Sequence, residues 1–307
     1  MRIFVTGATG FLGAHLVPAL TASGHEVTAT GSVSCDLLRD DSLAAFTQPY
    51  DQIWHLAAWT QAGDFCVHHP GEQWLRNQRI NTNVLHWWAT QQPQAKLIAI
   101  GTSCSYPPGA SLLEDDYLSG EPVPELYAYA MTKRMLLVGL RALASQFGLT
   151  HLLLVPSTLC GPGYHAAAKQ WHFIFDVIRK IVDAKHTGER VVLWGDGHQR
   201  REIVHVDDFV RAAILLAGAV DNQVVNIGSG HEYSIRWYAE QICRMVDYDS
   251  AAVNYDMTRY TGARSKLMST ARLAALLPEF RMRPVEQVIA ESVRWYQEER
   301  GGRSSNR

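Results

Sequence analysis

Tyr129 and Lys133 stand four residues apart in a segment of helical character, so both side chains leave one face. A free phenol has a pKa of about 10, too high to exchange protons efficiently at neutral pH. A neighbouring ammonium favours phenolate and is expected to draw that value down. On its own the pair fits any surface helix. Here it follows a strand ending in Gly101-Thr102-Ser103-Cys104, which adds a hydroxyl and a thiol. A thiol near its reference pKa of about 8.5 needs only a modest shift to ionise, and His172 changes charge near neutrality. Taken singly, Cys104 reads equally well as a small buried hydrophobe, and His172 as an ordinary structural histidine.

The second chemical signal is Thr6-Gly7-Ala8-Thr9-Gly10-Phe11-Leu12-Gly13. It follows a strand and opens a helix, the context that separates a dinucleotide loop from a chance glycine pattern. Gly7 permits a tight turn, Gly10 lets backbone amides approach a pyrophosphate, and Gly13 allows close helix–strand packing. Thr9, Phe11 and Leu12 complete the loop and the first helical turn. The helix N-terminus offers unpaired N–H groups and a positive dipole end to the anion. NAD-selective sites carry an acid at the end of the second strand. Thr30-Gly31-Ser32 stands there instead, which favours NADP(H) over NAD(H). Asp36 and Leu37 follow; Asp36 is placed to accept from the adenine amino group, or equally to cap a helix.

Elements that could position these groups follow in alternation. Strands are expected at Arg2–Thr6, Glu26–Thr30, Gln52–Leu56, Lys96–Gly101 and His151–Val155, and helices near Phe11–Ser23, Asp41–Phe46, Trp74–Gln91 and Tyr129–Phe147. The strands are nearly continuous apolar runs, as in a parallel sheet covered on both faces. This predicts an α/β fold, a doubly wound Rossmann sheet. Pro18 lies inside the first helix and should bend it slightly. After Gly161-Pro162-Gly163 the pattern loosens: a helix near Phe173–Ala184, a strand at Val191–Trp194, and Val224–Ile227 rejoining the first sheet. A last helix spans Val285–Glu299, and Gly301–Arg307 is expected to fray. The chain therefore divides into a cofactor-binding unit, 1–163 plus about 204–229, and a smaller, interleaved C-terminal substrate unit, about 164–203 plus 230–300.

Bulk properties narrow the class. The 307 residues are 47% apolar and 19% charged, with a formal net charge of −2. That excludes wholesale disorder and any basic field for nucleic acid or an anionic membrane. Arg200 and Arg201 make no patch, yet could clamp one phosphate-bearing ligand. Five scattered cysteines without a CxxC pair point to a reducing, cytoplasmic home without structural disulfides. Neither the cysteines nor the thirteen histidines suggest a metal site. The chain enters a strand at Arg2, leaving no room for a signal peptide, and its longest apolar stretch, around Phe209–Val220, is too short to span a bilayer.

The TGxxGxxG loop, Leu56-Ala57-Ala58, the hydroxyl at Thr102 and Tyr129xxxLys133 together resemble the extended short-chain dehydrogenase/reductases. Within them the chain is most similar to the GDP-L-fucose synthase family of 3,5-epimerase/4-reductases, over essentially its full length. The more specific likenesses are Gly101-Thr102-Ser103-Cys104-Ser105-Tyr106-Pro107, Trp194-Gly195-Asp196-Gly197, and Arg201-Glu202-Ile203-Val204-His205-Val206-Asp207-Asp208. The resemblance implies an NADP(H)-dependent enzyme that epimerises and reduces a 4-keto (deoxy)sugar nucleotide, working as a homodimer. It gives Thr102 a hydrogen bond to the sugar C4 oxygen, Tyr129 the proton for that oxygen, and Lys133 the nicotinamide ribose. Cys104 resembles the base beside the ketone and His172 the acid on the opposite face. Leu56, Ala57, Ala58 and Pro156 fall to the cofactor. Ser103, Thr158, Trp194, Arg201 and Lys266 fall to the substrate, with an Arg201 ion pair to Asp207 or Asp208 as the competing reading. Thr102 replaces the family's serine and Thr158 its asparagine, and the stretches 59–63 and 165–171 depart from its loops. A single-function 4-reductase or 4-epimerase of another nucleotide sugar is the nearest alternative. A cofactor-binding redox regulator is the remote one, since it would not need Thr102, Tyr129 and Lys133 together.

Overall fold

Uninterrupted aliphatic runs make strands that bury both faces, and that pattern dominates the first half of the molecule. The computed structural model describes residues 1–60, 65–109, 112–164, 171–259 and 262–305. In chain order the elements begin β1 (Arg2–Thr6), α1 (Phe11–Ala22), β2 (Glu26–Ala29), β3 (Gln52–His55), α2 (Phe65–His68), α3 (Pro70–Gln91) and β4 (Lys96–Ile100). They continue with α4 (Tyr127–Phe147), β5 (His151–Pro156), β6 (Thr158–Cys160), α5 (Phe173–Thr187), β7 (Val191–Trp194), β8 (Arg200–Arg201), β9 (Ile203–His205) and α6 (Val206–Ala219). The rest are β10 (Gln223–Ile227), β11 (Tyr233–Ser234), α7 (Ile235–Val246), β12 (Val253–Asp256), α8 (Ala271–Leu276) and α9 (Val285–Ser305).

Six strands pair in parallel in the order β10-β5-β4-β3-β1-β2. Side chains alternate faces along each strand. Phe4, Ile53, Leu97 and Leu153 pack with Trp87, Trp88, Leu136 and Leu140 of α3 and α4. Ile3, Val5, Trp54, Ile98 and Leu154 pack on the other side with Leu16 and Leu20 of α1 and Phe209 and Leu216 of α6. The chain leaves β1 toward β2 and then returns to place β3 on the other side of β1. That reversal opens a crevice at the carboxyl ends of β1 and β3, the usual ligand position in doubly wound sheets.

A third core lies apart from this sheet. It joins Ile174, Phe175 and Ile178 of α5, Tyr238 and Ile242 of α7, and Val288 and Ile289 of α9, with Val191, Leu193 and Val253 of the parallel pair β7 and β12. Its segments come from both sides of β10 in the chain, so two crossings connect it to the sheet. Among the described residues no helix is long and apolar enough to cross a membrane.

Two expectations are corrected. Residues 41–45 form turns, not a helix: Ala44 N bonds Asp41 O and Phe46 N bonds Leu43 O, tight three-residue steps that tuck Leu43 into the first core. α3 starts at Pro70, before Trp74, because proline at the first helical position loses no hydrogen bond. α9 runs on to Ser305, into the stretch expected to fray, and Arg300 Nε bonds Asp183 Oδ1 at 2.9 Å.

Candidate active site

The crevice is lined first by glycine. Gly7 has φ +67°, and a Cβ there would lie 2.7 Å from the Ala57 amide, so only glycine lets the loops after β1 and β3 approach. Gly13 runs equally close under the loop; a Cβ would stand 2.5 Å from Gly7 O. Gly10 caps α1 without any side-chain bond, leaving the helix N–H groups for an anion. Thr9 packs over Gly31, whose own Cβ would meet it at 2.7 Å. Phe11 turns edge-on to Tyr164 and Phe175, and Leu12 joins the α1–α6 core. Thr30 spends its hydroxyl on Val5 O at 3.0 Å. Asp36 is exposed and accepts from Leu38 N at 3.1 Å, while Leu37 is buried below it. Leu56, Ala57 and Ala58 edge the crevice after β3, and Pro156 ends β5 against Ile227. The open helix end and the cleared glycine backbone fit a dinucleotide pyrophosphate.

Thr102, Tyr129 and Lys133 converge at the carboxyl end of β4. Thr102 N donates to Tyr117 Oη at 3.1 Å, and Thr102 Oγ1 accepts from Cys104 N at 3.3 Å. Tyr129 keeps some surface open to the crevice although protein surrounds it densely. That setting pushes its phenol above the ordinary value, chiefly by desolvation, then by Cys104 and Tyr117, against a hydrogen bond from Thr102. Burial dominates, and the phenol rises where a lowering was expected. The phenol keeps its proton, as a donor must. Lys133 is 3% exposed, gives its ammonium to Ile100 O at 2.8 Å, and is held down to about 8 by burial.

Beneath these groups runs a hydrogen-bond chain that no motif reveals. Ala57 N donates to Thr6 Oγ1 (3.2 Å), which meets His55 Nδ1 (3.0 Å). His55 Nε2 meets Asn81 Oδ1 (3.1 Å), and Asn81 Nδ2 donates to Thr132 O (3.2 Å) in α4. Asn81 Oδ1 can only accept, so His55 Nε2 carries the proton and Nδ1 accepts from Thr6. Burial holds this imidazole down to about 4, with the Lys133 charge adding to the effect. The neutral ring couples the glycine loop to the helix of Tyr129 and Lys133. Its one signal in the sequence is a histidine among buried strand residues, two positions before Ala57.

The other wall is assembled from distant segments. Lys266 Nζ donates to Cys104 Sγ at 3.5 Å across 162 residues. His172 caps the start of α5, open to solvent, and its imidazole is lowered by the surrounding protein and then by the Lys266 charge. Cys104, His172 and Lys266 therefore share one electrostatic neighbourhood. Ser103 begins the tight turn that carries Cys104. The residues before Lys266 line a cavity of about 710 Å³ formed by Asp196, His198, Gln199, Arg200, Ser234, Gly262 and Arg264. Arg201 Nη1 donates to Ala263 O at 2.7 Å, and Asp207 and Asp208 bind His15, Arg211 and Arg283. Its neighbour Arg200 reaches the cavity and pairs with Glu232 at 3.0 Å. Trp194 lies between Lys180 and Arg259, whose cations approach its ring at 5.9 and 5.5 Å, and Thr158 pairs with Ile203 in β6. Residues 61–63 and 165–170 of the two divergent stretches lie outside the described residues.

The chain is 29% identical over 304 residues to GDP-L-fucose synthase 1 of Arabidopsis thaliana, covering 96% of this chain and 93% of that one. Its fold matches a GDP-6-OMe-4-keto-L-xylo-heptose reductase from C. jejuni with a TM-score of 0.88 at 20% identity, covering 97% and 98% of the two chains. It also matches a GDP-L-fucose synthetase from Naegleria fowleri bound to NADP, with a TM-score of 0.83 at 24% identity and coverages of 97% and 94%. The profile of the NAD dependent epimerase/dehydratase family spans residues 3–228. The glycine loop, the Tyr129–Lys133 pair and that span agree: the chain belongs to the NAD dependent epimerase/dehydratase family and is an NAD(P)-dependent enzyme.

Proposed function

We propose that this enzyme is a nucleotide-sugar 3,5-epimerase/4-reductase acting on a 4-keto (deoxy)sugar nucleotide with NADP(H), in the manner of the GDP-L-fucose synthases. The observation that carries the reading is the convergence of Thr102, Tyr129 and Lys133 with Cys104, two residues from Thr102, beside the glycine crevice. The nicotinamide, when bound, supplies hydride. The protein's part begins with Thr102 and Tyr129 holding the C4 oxygen. The phenol then gives its proton to the oxygen as negative charge develops there. Lys133 fixes the ribose, and its buried ammonium stabilises the phenolate left behind.

A C4 ketone acidifies the C–H bonds at C3 and C5. Cys104 takes those protons and His172 returns them from the opposite face. Because the His172 imidazole is lowered, its donor form grows as pH falls, so inversion weakens toward alkaline pH. The cavity beside Arg200 and Arg264 has the volume of a nucleotide site and cations for its phosphates. NADP(H) is favoured because no carboxylate stands at Thr30-Gly31-Ser32 to repel a 2′-phosphate. A homodimer through α3 and α4 is supported by the exposure of Trp74, Leu75, Met135 and Val138, and a cytoplasmic site by five cysteines of which none forms a disulfide. The units 1–163 with 204–229 and 164–203 with 230–300 correspond to cofactor and substrate binding in this reading.

The test is NADPH oxidation with a panel of GDP-, dTDP- and UDP-linked 4-keto sugars. One or more should be reduced, with NADH used less well. A panel that leaves NADPH unconsumed contradicts the proposal. The competing reading, a 4-reductase without epimerisation, is favoured by the fold shared with the heptose reductase. It predicts reduction with no hydrogen exchange at C3 or C5.

A further inference from the structure

The contact between Lys266 and Cys104 is fixed from the lysine side. Lys266 N donates to Glu232 Oε2 at 3.3 Å, and Ser265 Oγ reaches both oxygens of the same carboxylate at 2.9 and 2.8 Å. Arg200 closes Glu232 from the far side at 3.0 Å. Upstream, Arg201 holds Ala263 O at 2.7 Å; downstream, Ser269 N bonds Leu112 O at 3.1 Å. The backbone is held on both sides of Lys266, and its half-buried ammonium ends on the Cys104 sulfur. A hydrogen bond from a neutral amine would do little for a thiol; an ammonium pairs with a thiolate.

We propose that Lys266 is a positioning residue for Cys104, whose charge holds the sulfur as the thiolate that removes the proton beside the C4 ketone. The proposal rests on the epimerase reading above. The groups facing the sulfur are Cys66 from α2, Tyr117 from the loop before α4, Tyr129 from α4 itself, and the amide-linked Thr102 hydroxyl. His172 faces Lys266 from the start of α5, its imidazole lowered by desolvation and then by the same charge. The thiol and phenols add no positive charge, so among the described residues the countercharge for a thiolate here is Lys266. In the step itself the sulfur lone pair takes the C3 or C5 proton and an S–H bond forms. The broken C–H pair becomes the double bond to C4, and the C4 oxygen takes the negative charge. Lys266 transfers nothing; it supplies the counter-charge at the sulfur.

Alkylation by iodoacetamide reads the thiolate without any sugar nucleotide, so it can fail while the enzyme still epimerises, and succeed if it is only a reductase. Cys35, Cys66, Cys160 and Cys243 are buried, and Cys104→Ser supplies the background rate. In the folded wild type, Cys104 should be alkylated rapidly at neutral pH. Lys266→Gln should slow this by roughly tenfold and move the rate–pH profile about one unit to higher pH. Lys266→Arg, which keeps the charge, should restore most of the rate. An unchanged profile in Lys266→Gln, with only nucleotide affinity reduced, would overturn the proposal and leave Lys266 a substrate ligand. Equal slowing in Lys266→Arg and Lys266→Gln would also overturn it, by showing that shape and not charge matters.

Discussion

The two walls of the crevice are built differently. Thr102, Tyr129 and Lys133 rest on adjacent pieces of one scaffold: the end of β4 and one turn of α4, tied to the glycine loop through Thr6, His55 and Asn81. Cys104 sits at the seam, and its partners His172 and Lys266 arrive from the start of α5 and from a loop held by Glu232 and Arg201. The first wall is fixed by the sheet core; the second depends on side-chain bonds between segments far apart in the chain. Reduction should therefore tolerate damage that ends proton exchange, and the reverse should not hold.

The largest effect expected is from Tyr129→Phe. Loss of the phenol proton should lower ketone reduction by ~10²–10⁴-fold, while NADPH affinity measured by fluorescence stays within a few-fold. A variant that reduces substrate at the wild-type rate would take the first wall out of the chemistry. Next, Cys104→Ser should cut hydrogen exchange at C3 and C5 by about 10²-fold or more, yet leave reduction of an already epimerised 4-keto sugar nearly intact. Parallel loss of both activities would mean that the walls are not separable.

The link between wall and loop can be broken at His55. His55→Phe takes the donor from Asn81 Oδ1 and the acceptor from the Thr6 hydroxyl, so a loss of roughly 1–3 kcal/mol in urea-unfolding stability is expected. NADPH binding should weaken with it, since the ring couples the glycine loop to α4. Stability retained together with full NADPH affinity would reduce the chain of bonds to a bystander.

The smallest effects lie in the pH dependence of folding. His55 and His151 are both held down to about 4 by burial, below their ordinary 6.5. The unfolded chain thus binds these protons first, and their contribution is present above 6.5 and lost as pH falls toward 4. His15 has the opposite sign: its bond to Asp207 at 2.6 Å raises it, so its contribution is present below the ordinary value and lost as pH rises through the folded one. Urea midpoints across acid and alkaline pH should fall at both ends, with His15→Gln removing the alkaline limb.

The same contrast between the walls governs how much of the molecule is legible in its sequence. The glycine loop, the Tyr129–Lys133 spacing and the six parallel strands are local patterns. A turn, a helical face or an apolar run announces itself within a few residues. Asp41–Phe46 misleads because a short apolar periodicity is shared by helices and by turns that bury one side chain, as Leu43 does. Resemblance puts Cys104, His172 and Lys266 in the site, yet the bond between Cys104 and Lys266 spans 162 residues and leaves no local trace. Resemblance also gives Arg201 to the ligand; that its Nη1 holds Ala263 O and that its neighbour Arg200 lines the cavity leave no local trace either. His55 carries no motif, because a buried neutral histidine looks like part of the strand until its two partners are known.

The most direct test of the epimerase reading is deuterium wash-in. The wild-type enzyme is incubated in heavy water with a 4-keto sugar nucleotide that it reduces, without NADPH, and the sugar is followed by proton NMR. Deuterium should enter at both C3 and C5, strongly suppressed in Cys104→Ser; in His172→Asn exchange should persist while inversion is lost. No exchange in the wild type, on a substrate it reduces with NADPH, would contradict epimerisation and leave a simple 4-reductase.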